Sequence, residues 1–98
     1  MARTQAGEVT RDQFVAAREA QRVAVRVARE AVDKGDTATA VAKLAEIVAY
    51  EHAPAGVPMD VRMRYWEVIG ALETAGMTQR EAMRQIAAIA GRVLEEEE

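Results

Sequence analysis

The stretch "AREAVDKGDTATAVAKLAEIVAY", residues 28–50, decides the fold. Gly35 follows Lys34 where a helix can end on a left-handed residue, a conformation glycine adopts without a Cβ clash. One residue on, Asp36 or Thr37 can accept the orphan N–H groups of a new helix. Val41, Leu44, Ala45 and Val48 then recur at the i, i+3, i+4, i+7 spacing of a buried helical stripe, which Ile47 and Tyr50 widen. Helix, tight turn and helix make a hairpin, and the second helix reads to about His52.

Working backwards, the first helix has a clear start. Thr10 and Gln13 have the spacing of a capping box, and Val9 and Phe14 that of a hydrophobic staple. From there to Lys34 is about 24 residues, or roughly 36 Å at 1.5 Å per residue. Working forwards, "HAPAGVP" (52–58) holds both prolines and breaks the chain. Pro58 suits the first turn of a third helix, whose stripe is Val61, Tyr65, Val68, Ile69 and Leu72 and whose end is Gly76. Thr78 and Glu81 predict a second capping box. The fourth helix then buries Ala82, Ile86, Ile89, Ala90 and Val93. No strand-like alternation persists. The fold expected is all-α: a four-helix bundle or two stacked antiparallel helical hairpins, with a long first helix. Residues 1–8 read as an N-terminal arm, 9–94 as a single helical domain and 95–98 as an acidic C-terminal tail. Four carboxylates there oppose the helix macrodipole and predict fraying unless a partner holds them.

Composition narrows the function classes. The chain has 98 residues, half of them apolar and 30% charged, which suits one modest globular core. Twenty-one of the apolar residues are alanines, so the core is thin and leaves room for an oligomer to add burial. Cysteine, serine and asparagine are absent. Disulfides and thiolate metal sites are therefore excluded, and only threonines are left as hydroxyl nucleophiles of the serine type. No apolar run approaches a membrane span, and no secretory signal opens the chain, so a cytoplasmic protein without membrane contact is expected. There is no phosphate-binding glycine loop and no nucleophile–base pair, and the expectation is no enzyme and no cofactor. The single histidine, His52, neighbours Glu51. Adjacent helical residues diverge by about 100°, so the pair cannot share a metal from one face, and no metal site is expected.

Two constellations remain. Arg11, Arg18, Arg22, Arg26 and Arg29 fall on one side of the first helix, opposite Ala17, Ala20, Ala24, Val27, Ala28 and Ala31. This basic ridge reads as a solvated face, as a contact for an acidic protein surface, or as a grip on nucleic-acid phosphates. Glu19 and Glu30 flank it and no aromatic stands on it, which counts against base stacking. The net charge of −3 divides into +2 over residues 1–34 and −5 over residues 35–98, an asymmetry weaker than nucleic-acid proteins show. The second constellation is "RMRYWEV" (62–68). Tyr65 lies on the third helix's buried stripe. Trp66 points about 100° away, toward Met63 and Met59. It reads either as a second packing face inside the bundle or as an exposed patch for another chain, rimmed by Arg62 and Arg64. Met59, Arg62, Met63 and Trp66 are the preferred partner interface, because Trp anchors binding hot spots and Met adapts to partners.

Two resemblances bear on these readings. Residues 24–54 look like a tetratricopeptide-type helical hairpin, with Ala28, Gly35, Ala40 and Leu44 near that repeat's small-residue and packing positions. Ala24 and Ala31 stand where the repeat favours Trp and Tyr, and no second copy follows. The resemblance implies binding of proteins or peptides. "AGMTQREAMRQIAAIAG" (75–91) resembles the opening of a helix-turn-helix, but "RVLEEEE" then puts acids where a groove-reading helix needs donors. The function expected is a protein–protein interaction or assembly module, a self-associating subunit or an adaptor. Nucleic-acid association through the ridge is the alternative.

Overall fold

The computed structural model describes the backbone of residues 10–52 and 56–96, and their side chains apart from His52 and residues 92–96. Four α-helices follow one another: α1 (Arg11–Asp33), α2 (Thr37–Ala49), α3 (Met59–Thr74) and α4 (Gln79–Glu96), with a single 3-10 turn at Tyr50–His52. The described residues contain no strand. The fold is the all-α arrangement of hairpins with a long first helix.

Both hairpin turns use one device. Gly35 and Gly76 have φ of 80° and 106°. After α1, the Asp36 N–H reaches the Ala31 carbonyl and the Gly35 N–H reaches that of Val32, at 2.8 and 2.9 Å. After α3, Met77 and Gly76 repeat the pattern on Leu72 and Glu73, at 2.9 and 3.1 Å. These paired bonds satisfy the last carbonyls of each helix and reverse the chain. Asp36 then caps α2 by accepting from the Thr39 N–H at 3.1 Å. At the start of α1 the capping box is complete. At α4 it is half made: Thr78 accepts from the Glu81 N–H at 3.2 Å, while the Glu81 carboxylate turns away to Arg84 and Gln85. Pro58 stands just outside α3, as its N-cap, one position earlier than expected. The last turn expected of α2 is the 3-10 segment. Val9, the arm (1–8) and the end of the tail (97–98) lie outside the described residues. The α4 backbone stays helical two residues into the stretch read as tail.

The hairpins α1/α2 and α3/α4 stack. α1 packs on α2 and α3, α4 packs on α2 and α3, and α1 and α4 occupy opposite corners. The core joins α2's Ala40, Val41, Leu44, Ala45 and Ile47, α3's complete stripe, α4's Ala82, Ile86 and Ala90, and the inner face of α1. Val48 and Ile89, expected on the buried stripes, are only partly buried, and the Val93 side chain lies outside the described residues. That inner face corrects the sequence reading. Ala24, Ala28 and Ala31 are buried as expected, but Ala20 is exposed and Val27 only half-buried. Gln21, Val25 and Val32 are buried instead. The buried arc is rotated toward the arginines because α3 packs on that side. None of residues 11–20 of α1 is buried.

Candidate interaction surface

On α3, Val61, Tyr65, Val68, Ile69 and Leu72 face the core. A helix that turns about 100° per residue then places Met59, Met63, Trp66 and Gly70 on the opposite side. Their exposure agrees: Met59 69%, Met63 61%, Trp66 49%, with Gly70 also exposed. Trp66 is thus half exposed and is not a packing face inside the bundle. Trp66 meets Tyr65 edge-to-face, with ring centroids 5.4 Å apart. Burial of Tyr65 raises the pKa of its hydroxyl, and the Glu51 carboxylate adds to the rise.

On the α4 side of this stripe, Trp66 and Met83 flank a cavity of about 230 Å³ floored by Ile47, Val48 and Ile86. Met83 is 41% exposed and extends the apolar surface, a contribution the sequence reading missed. Its signal was available: Met83 follows buried Ala82 by one position, as Trp66 follows Tyr65. Arg62 rims the cavity. It donates to the Val57 carbonyl at 3.4 Å and lies 3.6 Å from Glu51.

The basic ridge is not one open face. Arg22, Arg26 and Arg29 form a wall of the groove between α1 and α3, opposite Asp60, Arg64 and Glu67. Arg22 bonds Asp60 across that groove at 3.0 Å, and Arg29 pairs with Asp33 at 3.4 Å. The Arg18 guanidinium lies over the Phe14 ring, 4.5 Å from its centroid, a cation–π contact. Contrary to the sequence reading, an aromatic therefore does stand beside the ridge, one turn before Arg18. Arg11 and Arg26 are exposed. A residue the sequence did not single out ties the ridge helix to the loop before α3. Gln21 is fully buried, and its Nε2 donates to the Gly56 carbonyl at 2.8 Å. Its position on the buried stripe with Ala24, Val25 and Ala28 was the available signal.

Among the described residues no three His, Asp or Glu side chains gather as a metal set. No described helix is long and apolar enough to cross a membrane. Comparison with family models, with curated proteins and with solved structures finds no match to this chain.

Three carboxylates carry a pH dependence. Asp60 is held below its ordinary pKa by the hydrogen bond from Arg22, Asp36 by bonds from Thr39, and Glu81 by bonds from Arg84 and then Gln85. A depressed folded pKa contributes stability above the unfolded value, and that contribution is lost as pH falls through the folded one. Urea melts are thus expected to show constant stability down to about pH 4, the unfolded carboxylate range, and a decline below it. Stability rising between pH 4 and pH 3 would contradict these pairings.

Proposed function

We propose that the chain is a non-enzymatic helical interaction module of the cytoplasm, a self-associating subunit or adaptor that acts through the outer face of α3. The observation that carries this reading is the stripe Met59, Met63 and Trp66, with Met83 beside it, exposed on a helix whose other face already fills the core. Large apolar side chains gathered on a small surface mark sites where another chain docks, and Trp and Met supply the anchor and the adaptable rim. The resemblance of residues 24–54 to a tetratricopeptide hairpin points the same way. Nucleic-acid association through the ridge has weaker support, since Arg22 and Arg29 are engaged by Asp60 and Asp33 and the groove they line carries Glu30 and Glu67.

The test compares the wild-type chain with Trp66→Asp by size, both purified and in an extract of its source cells. The variant is expected to keep its helical circular dichroism and lose an assembly that the wild type forms. If both run at monomer size in both settings, or if both assemble alike, the reading fails.

A further inference from the structure

The outer stripe of α3 has a period of its own. Met59, Met63, Trp66 and Gly70 are separated by four, three and four residues. That is the alternation of the d and a positions of a coiled-coil seam, the spacing that keeps one helix face against another helix. The register makes Met59 and Trp66 d positions and Met63 and Gly70 a positions. Arg62 then falls at g and Glu67 at the following e, the two positions that flank a seam and choose the partner and its direction.

The charges on those flanks discriminate between directions. When two copies of one helix pair in parallel, g of one copy faces e of the next heptad in the other. Arg62 then meets Glu67 of the second copy, twice, by symmetry. When they pair antiparallel, like flanks meet, and Asp60 and Glu67 face the same two acids of the other copy. Glu67 has no ion pair within 4.0 Å among the described residues, and the Arg62–Glu51 pair is long and exposed. Both side chains can therefore turn across a seam at little cost. We infer that the outer face of α3 is the seam of a twofold homodimer, with α3 of one copy parallel to α3 of the other. Met59, Met63 and Trp66 stack on their own counterparts, Gly70 lets the helices close together, and two Arg62–Glu67 pairs flank the stack. This deepens the interaction reading above and rests on it.

Size sets the strength. The exposed parts of Met59, Met63, Trp66 and Met83 offer on the order of 400 Å², about half of the ~800 Å² per partner of a stable interface. The dimer is thus reversible and dissociates on dilution. Because the chain has no cysteine, an introduced one reports alone. Met59→Cys changes an exposed side chain and leaves the core intact.

Oxidised at a concentration where light scattering finds wild-type dimer, Met59→Cys is expected to form a disulfide-linked dimer. Ala38→Cys, exposed on α2, is expected not to. In an antiparallel pair the two copies of residue 59 stand about 16 Å apart at 1.5 Å per residue. Linking would then need a mixture of Met59→Cys and Gly70→Cys, and an added Cβ at Gly70 meets nothing within 4 Å. Linking in that mixture without linking of Met59→Cys alone overturns the parallel seam, as does equal linking of Ala38→Cys. Glu67→Arg is expected to abolish the dimer and Arg62→Glu with Glu67→Arg to restore it; an unchanged dimer in Glu67→Arg also overturns the inference. A wild-type chain monomeric at every concentration overturns self-pairing altogether. The broader reading would then stand or fall on whether a Trp66-dependent assembly persists in the extract.

Discussion

Leu44→Ala is expected to remove about 3 kcal/mol of stability, within the range of roughly 2–5 for a buried leucine truncated to alanine. Leu44 is fully buried in the middle of α2, the helix that packs on both α1 and α4. The core it belongs to is made largely of alanines and valines, short side chains that reach poorly into a gap. A domain of this length has about 5–15 kcal/mol in all, so the variant sits near its unfolding threshold. Its melting midpoint should fall by roughly 10–20 °C. Urea and thermal melts followed by circular dichroism measure this directly. A loss below about 1 kcal/mol would mean that the helices collapse onto the gap, a softer core than close packing implies.

Ala28→Leu tests the opposite limit. Ala28 is fully buried on α1, as are Ala40 and Ala45 on α2, and with Ala24 and Ala31 they belong to one core cluster between two helices that pack on each other. Small side chains on both helices allow the backbones to approach closely. A leucine at 28 adds bulk to a fully buried position and is expected to force the packed helices apart, at a cost of about 2 kcal/mol or more. Ala20→Leu, on the same helix at an exposed position, is the control and should change stability by less than about 0.5 kcal/mol. Equal effects at the two positions would refute the close approach. Together with Leu44→Ala, the pair separates two properties of a thin core, intolerance of voids and intolerance of bulk.

The elements legible in the sequence were those with local causes. Gly35 and Gly76 end their helices because the bonds that reverse the chain span five residues, and Thr10 caps α1 through a residue three positions away. The whole inner stripe of α3 followed from its period, and so did the divergence of Trp66 from Tyr65. What could not be read depends on partners far along the chain. Asp60 is 38 residues from Arg22, and Gly56 is 35 from Gln21. Nothing near position 22 indicates that an acid will stand opposite it, so the arginines read as one open ridge. The rotation of α1's buried arc has the same origin. Alanine spacing alone marks the face that meets α2, and only the docking of α3 adds Val25, Val32 and Gln21.

Helix α1 crosses from one environment to another along its length. Its first ten residues contribute nothing to the buried core, whereas six of the next thirteen do. The early turns are held by the capping box, the Phe14–Arg18 contact and backbone hydrogen bonds open to water. Such turns can melt without the rest of the protein unfolding. Amide deuterium uptake should therefore divide α1 near Gln21. The N-terminal amides should exchange through local opening, and those from Ala24 to Val32 only when the bundle itself comes apart.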